Sequence, residues 1–344
     1  MSVRALVVDD SAAMRAIVSG VLARDPEIEV IGTACSAQDA REKVKALNPD
    51  VMTLDIEMPG MDGLGFLEKV MRLRPMPVVM LSTLTAAGSD AALTALQLGA
   101  VDCFDKTALC NDLAGRAGTD LATLVRTAAG GRVRRLPPAA PAAPAAPAAD
   151  YRPRDGAIIA IGSSTGGVEA LIELLRDFPA DCPPTVIVQH MPATFTPSFA
   201  ARLDRLSAPT VEQARAGAVL RRGFVYLAPG GDDHLEIAGS DQRRHCRLVA
   251  GDRVNGHRPS VDRLFHSVAR YVGADAAGAI LTGMGHDGAA GLKAMRDAGC
   301  RTFGQDKATS VVYGMPAVAH QMGAVQEQLP LRLIAGRLLK ACAA

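Results

Sequence analysis

The chain has no tryptophan and only four tyrosines and eight phenylalanines in 344 residues. So few rings leave almost nothing for bases to stack on, which argues against a single-strand nucleic-acid binder. Charge of one sign is lacking too: 37 Lys and Arg face 36 Asp and Glu, for a formal charge of +1. With no basic field and no basic recognition stretch, a DNA-binding output is disfavoured. No apolar run approaches the ~20 residues of a membrane span, and the first residues do not read as a secretory signal. The seven cysteines (Cys35, Cys103, Cys110, Cys182, Cys246, Cys300, Cys342) are scattered and never spaced C-x-x-C. They are expected to be small core hydrophobes in a reducing compartment, not a disulfide or zinc framework. The expectation is a cytoplasmic protein, not membrane-embedded and without a nucleic-acid partner.

What is present is aliphatic: 49% of the residues are hydrophobic, ample for two cores, and the length suits two domains of roughly 150 residues. One segment cannot join a core. Pro137 to Ala149 reads PPAAPAAPAAPAA, flanked by Arg132, Arg134, Arg135, Arg152 and Arg154. Regular prolines block helix and central strand alike, so this is a semi-rigid spacer of ~3 Å per residue. The parse is a first domain over 1–125, a linker over 126–154 and a second domain over 155–344.

Before the linker, five apolar runs alternate with helical patterns: Ala5–Val8, Glu29–Gly32, Val51–Leu54, Val78–Leu81 and Val101–Phe104. A βα repeat with fully apolar strands predicts a five-stranded parallel sheet covered on both faces. In such sheets functional groups gather at the carboxyl ends of the strands. Asp9 and Asp10 close the first strand and Asp55 the third, while Thr83 and Lys106 lie just beyond the fourth and fifth. Clustered carboxylates repel unless a cation joins them, and hard oxygen ligands suit Mg²⁺. A carboxylate can also accept a phosphoryl group as an acyl phosphate, whose oxygens a hydroxyl and an ammonium would bind. The competing reading makes Asp9 and Asp10 helix caps and Lys106 an ordinary surface residue.

The stretches VVDDS, TLDIEMPGMDG, PVVMLST and FDK resemble the receiver domain of two-component response regulators, a flavodoxin-like fold. The resemblance implies Asp55 as phosphoacceptor and Mg²⁺ held by Asp10, Asp55 and the backbone carbonyl of Glu57, with Asp9 one step behind. It implies Thr83 and Lys106 as readers of the phosphoryl group and a histidine kinase as phosphodonor. Receivers usually carry proline after the lysine, often through a cis bond. Here it is Thr107, and a cis bond without proline costs ~2.5–4 kcal/mol, so a trans bond is expected.

After the linker, the buried run Ala157–Ile161 leads into Gly162-Ser163-Ser164-Thr165-Gly166-Gly167 and then a helix near Val168–Leu175. Gly162-x-Ser164-x-Gly166 matches a nucleophile elbow in the strand–turn–helix context it requires. Two other readings stay open: a phosphate-cradling glycine turn, and helix capping by Ser163, Ser164 or Thr165. A dinucleotide site would want an acid about 20 residues on, whereas the next strand ends in Gln189-His190. His190 can serve as general base for Ser164. Asp287, in the glycine-rich loop after a strand at Ala279–Thr282, can orient that base, although Asp-Gly is also a common turn pair.

The motifs IGSSTGG, VIVQHMP, NGHRPSVDRLFHS, ILTGMGHDGAAGL and VVYGMPAVA together resemble the CheB-type chemotaxis protein-glutamate methylesterases and glutaminases. The resemblance implies Ser164 as catalytic serine, His190 as base and Asp287 as its orienting acid, in a mainly parallel α/β domain that needs no cofactor. Met284 is a candidate oxyanion donor. It also implies chemoreceptor cytoplasmic domains as substrate and a chemotaxis histidine kinase as partner. His286 stands where the family is expected to have Asn or Asp, and a second imidazole there is expected to perturb Asp287. A phosphoacceptor domain whose second half binds a ligand without catalysis remains the alternative.

Overall fold

The computed structural model describes residues 2–58, 62–83, 86–110, 116–131, 151–240 and 243–344. The Pro137–Ala149 tract lies outside the described residues. The chain divides into two compact units, Met1–Ala140 and Pro141–Ala344.

The first unit runs β1 (Val3–Val8), α1 (Ala12–Leu22), β2 (Ile28–Ala34), α2 (Ala37–Leu47), β3 (Val51–Asp55), α3 (Gly63–Leu73), β4 (Val78–Ser82), α4 (Ala86–Gln97), β5 (Asp102–Asp105), α5 (Lys106–Cys110) and α6 (Arg116–Ala129). Its sheet has the order β2-β1-β3-β4-β5, with every ladder parallel. Every residue of β3 and β4 is buried, which is why those strands read as unbroken apolar runs instead of alternating ones. The strand order reverses between β1 and β3, and the crevice at such a switch is where ligands bind. Helix α6 continues past residue 125 to Ala129, with Leu121, Val125 and Ala128 buried.

The second unit runs β6 (Ile158–Ser163), α7 (Gly167–Arg176), β7 (Thr185–Gln189), α8 (Thr196–Leu206), β8 (Thr210–Gln213), β9 (Phe224–Leu227), β10 (Asp233–Ala238), β11 (His245–Ala250), α9 (Val261–Tyr271), β12 (Ala276–Ile280), α10 (Ala289–Asp297), β13 (Arg301–Gln305), α11 (Met315–Gln321), β14 (Glu327–Leu329) and α12 (Leu331–Ala341). Seven strands form one sheet in the order β14-β13-β12-β6-β7-β9-β8, all parallel, and β10 and β11 form a separate antiparallel hairpin. The chain enters at β6, passes to β7, runs to the edge as β8, fills the gap between β7 and β8 with β9, then returns to the other side of β6 as β12. The switch point therefore lies between β6 and β12. Helix α9 buries Val261, Leu264, Phe265 and Val268 on one stripe, the i, i+3, i+4, i+7 spacing of an amphipathic helix. Its first residue sits on the end of β6: a Cβ at Gly162 would lie 2.2 Å from Val261 Cγ1.

Cysteine placement corrects part of the sequence expectation. Cys182, Cys246, Cys300 and Cys342 are buried, but Cys35 and Cys110 are exposed, and all seven are free thiols. Cys35 falls between β2 and the Ser36 cap of α2, and Cys110 ends the short α5, so neither is on a core-facing stretch. Among the described residues, no helix is long and apolar enough to cross a membrane.

Candidate functional sites

Ser163 and Gln189 are the last residues of β6 and β7 and are paired across the ladder. Ser164 and His190 are thus the first residues beyond two neighbouring strand ends, in a sheet whose strands lie ~4.8 Å apart. The two serines differ sharply. Ser163 is fully buried, and its hydroxyl donates to Gln189 Oε1 at 2.6 Å, so it is committed to the interior. Gln189 Nε2 donates in turn to the carbonyls of Ser164 (2.9 Å) and His190 (3.0 Å), so one buried amide ties both backbones together. Gly166, at φ 77°, is the N-cap of α7 without any side-chain cap. The serines and Thr165 are therefore not helix caps, and the bland reading of the elbow falls away.

The loop after β12 presses on the serine. Ser164 N–H donates to Thr282 O at 3.0 Å, and a Cβ at Gly283 would lie 2.7 Å from Ser164 Cβ. Met284 follows directly. The same loop carries Asp287, whose Oδ2 is 2.9 Å from His190 Nε2. The expected base and its expected acid are joined. No hydrogen bond links Ser164 to His190: the remaining ring nitrogen, Nδ1, is buried and has no partner among the described residues. In sites without substrate that bond is often open and tightens only on binding.

Asp287 is the most heavily bonded carboxylate of the site. Besides His190, it accepts from Val261 N (2.7 Å) on Oδ2 and from Ser260 Oγ (2.8 Å), Asn255 Nδ2 (2.9 Å) and Asp262 N (3.3 Å) on Oδ1. Ser260 is the N-cap of α9, so the acid closes the first turn of that helix, where unpaired N–H groups and the dipole favour an anion. Sequence reasoning did not find Asn255 or Ser260 as its partners. Their signals were faint: Asn255-Gly256 reads as a turn pair and Ser260 as an ordinary cap. Nor is His286 the imidazole that matters. It is exposed, whereas His257 stacks on His190 with ring centroids 3.7 Å apart and planes 7° apart.

In the first unit, Asp55 ends β3 and Asp9 follows β1; both are buried, while Asp10 is exposed. Oxygens of all three carboxylates lie within 4.8 Å of one another. Lys106 Nζ is 2.7 Å from Asp55 Oδ1 and 3.8 Å from Asp9 Oδ2. Asp9 Oδ1 also accepts from Ser11 N at 2.9 Å, a turn ahead of α1; the cap of that helix is Ser11, which accepts from Met14 N, so neither Asp9 nor Asp10 is the helix cap of the competing reading. Burial raises the pKa of Asp9 and Asp55 despite Lys106, and the mutual charge of the acids adds to it. Asp9 Oδ2 and Asp55 Oδ2 are buried without a hydrogen-bond partner. Unpaired hard oxygens that repel each other are a donor set fit for a small divalent cation. The cluster opens into a cleft of about 650 Å³ lined also by Glu57, whose N–H donates to Asp55 Oδ1 at 3.3 Å. Thr83 follows β4 and is half-buried, and no hydrogen bond joins it to Asp55 or Lys106. The Lys106–Thr107 bond is trans, the one cis bond among the described residues being Arg258–Pro259. Thr107 instead bonds Asp105 through its N–H and hydroxyl.

The bonds to Asp287 set a pH dependence. Burial opposes its ionisation, but hydrogen bonds from His190, Asn255 and Ser260 outweigh that and hold it well below the usual carboxylate range. Its folded pKa is depressed, so its stabilising contribution is complete above the unfolded value of about 3.9 and is lost as pH falls through the folded value. The stability difference between the wild-type chain and Asp287→Asn should therefore be constant above about pH 5 and shrink below about pH 4. Denaturant midpoints measured from pH 6 to pH 2 check this; a difference independent of pH would contradict it.

Comparison with known proteins agrees with both halves. A family model for the CheB methylesterase matches residues 159–338, and one for the response regulator receiver domain matches residues 5–117. A protein-glutamate methylesterase/protein-glutamine glutaminase from Rhizobium johnstonii is 58% identical over 99% of this chain and 97% of its own length. Its counterpart from Caulobacter vibrioides is 59% identical over 96% of this chain and 95% of its own. The solved catalytic domain of Thermotoga maritima CheB methylesterase aligns with 54% of this chain and 98% of its own at 39% identity and a TM-score of 0.52. With its glycine-flanked Ser164, joined His190 and Asp287, and acidic strand ends, the chain belongs to the CheB methylesterase family, with a response regulator receiver domain in front.

Proposed function

We propose that the protein hydrolyses γ-glutamyl methyl esters on the cytoplasmic helical regions of chemoreceptors in chemotaxis adaptation, and deamidates glutamines there as a second activity. The observation that supports this most directly is the His190–Asp287 pair at 2.9 Å beside two adjacent serines, of which Ser163 has its hydroxyl committed to an internal hydrogen bond. In this reading Ser164 is the nucleophile, His190 the base and Asp287 the orienting acid. Ser164 Oγ attacks the side-chain carbonyl while its proton passes to His190 Nδ1. Asp287 stays ionised, keeps the Nε2 proton in place and offsets the imidazolium charge. Backbone N–H groups of the elbow and of the Met284 loop hold the oxyanion. The imidazolium returns the proton to the leaving methoxide or amine, and methanol or ammonia departs. Water then attacks the acyl-enzyme, losing a proton to His190, and frees the glutamate and Ser164. The esterase step uses no cofactor.

The first domain (1–125) acts as a phosphorylation switch on the second (155–344) across the linker (126–154), with Asp55 as phosphoacceptor and a chemotaxis histidine kinase as donor. Asp10, Asp55 and the carbonyl of Glu57 would hold Mg²⁺, with Asp9 behind them; the bound ion supplies charge neutralisation on phosphoryl oxygens. Lys106 binds a phosphoryl oxygen in place of Asp55 Oδ1, and Thr83 binds another. The protein works in the cytoplasm, where both partners present their domains.

Two outcomes follow. Ser164→Ala should lower methanol release from methylated receptor by about 10⁴-fold or more. Ser163→Ala should leave most of the activity and cost about 1 kcal/mol of stability through its lost hydrogen bond. Equal losses would remove Ser164 from its role. Separately, Asp55→Asn should abolish Mg²⁺-dependent labelling by radioactive acetyl phosphate, since an amide cannot form the acyl phosphate. Full labelling of that variant would show that another residue accepts the phosphate.

A further inference from the structure

An imidazole that serves as base must keep one nitrogen on its acid and the other on its nucleophile. His190 has one edge fixed, by the 2.9 Å contact of Nε2 with Asp287 Oδ2, and its other nitrogen is buried and unpaired. A single hydrogen bond leaves a ring free to tilt about it. The face of the ring is what settles its plane, and that face is covered by His257, nearly parallel at 3.7 Å between centroids.

His257 is itself held. It closes a tight turn with Val254, through Val254 N to His257 O (3.0 Å) and His257 N to Val254 O (2.9 Å). Within that turn Asn255, at φ 53°, reaches Asp287 Oδ1 at 2.9 Å and Asp262 Oδ2 at 2.7 Å. The next residue, Arg258, is anchored on the carbonyls of Gly231 and Gly251, both at 2.7 Å. One turn therefore supplies the amide that clamps the acid and the ring that covers the base.

We infer that His257 is a positioning residue for the proposed hydrolysis: its ring fixes the plane of His190 so that Nε2–H stays on Asp287 and Nδ1 is the proton acceptor for Ser164. The inference rests on the Ser164–His190–Asp287 reading. The charge state of His257 suits the task. Burial and the neighbouring His190, Arg253 and His286 lower its pKa to about 3 against the pull of Asp287, so it is a neutral ring at working pH. When His190 takes the serine proton, it stacks on a polarisable neutral partner, not on a second cation.

The test uses the full chain with ¹⁵N-labelled histidine. Long-range ¹H–¹⁵N correlation reads the tautomer and ring-current shift of His190, assigned by their loss in a His190→Gln control. Wild-type protein should show the Nε2–H tautomer and upfield-shifted His190 ring protons, in active enzyme and in Ser164→Ala alike. His257→Phe preserves a flat ring and should preserve the shift. His257→Ala should lose it and mix the tautomers, with kcat for methanol release down about 10- to 100-fold and KM unchanged. His257→Phe should recover most of that loss.

An Nδ1–H tautomer in the wild type overturns the inference without any variant being made. So does wild-type kcat in His257→Ala, or an equal loss in the alanine and phenylalanine variants. A fully active Ser164→Ala would instead strike the hydrolytic reading and leave the stacking result standing, so the two failures are distinguishable.

Discussion

The organisation of the catalytic half depends on one buried carboxylate. Asp287 accepts five hydrogen bonds, from His190, Asn255, Ser260, Val261 and Asp262. A buried anion is tolerated only when its lone pairs are met, and here they are met by groups that other parts of the site need fixed. The first turn of α9 gains an anion at its N-terminus. The 254–257 turn is tied down through Asn255, and its His257 stacks on His190. His190 is joined to the same carboxylate through Nε2. None of these segments is near Asp287 in sequence, so the acid is the point at which three stretches of chain agree on a geometry.

The acidic cluster of the first unit follows the opposite electrostatic logic on the same kind of scaffold. Both sheets are parallel, and both place their polar groups where the strand order reverses, between β1 and β3 and between β6 and β12. Asp287 has enough donors to overcome burial, and its pKa is pulled down. Asp9 and Asp55 have one ammonium between them, and burial wins. The first arrangement is complete in itself and suits a permanent orienting charge. The second leaves buried oxygens unpaired and suits a site that gains and loses a cation and a phosphoryl group.

The parts legible in the sequence are those with local signals. Buried parallel strands such as Val51–Leu54 and Val78–Leu81 appear as apolar runs, and the residues that follow them, Asp55, Thr83, Ser164 and His190, fall at strand ends by simple counting. Asp287 was legible as a strand-end residue in a glycine-rich loop, but its Asp-Gly context did not separate it from a turn. Asn255, Ser260 and His257 were not legible as parts of the site, because their partners are distant in sequence: Asp287 lies 32 residues from Asn255 and 27 from Ser260, and His257 meets the ring of His190. His286 was expected to be the perturbing imidazole because it adjoins Asp287 in sequence. It is exposed, and the imidazole stacked on His190 is His257, from another segment. The exposed Cys35 and Cys110 show the same limit: composition gives a residue's average preference, and the element boundary gives its actual place.

The measurement that reaches the centre of this account is the paired activity and stability of Asp287→Asn in the full chain. An amide of the same size must present an NH₂ to donors that the carboxylate only accepted from. Methanol release should fall on the order of 10³- to 10⁴-fold, and stability at neutral pH should fall by about 1–3 kcal/mol as buried donors lose their partner. Both losses together are the signature of an acid shared between the base and the start of α9. Wild-type stability with lost activity would mean that Asp287 serves His190 alone, and retained activity would remove it from the chemistry; either result contradicts the account.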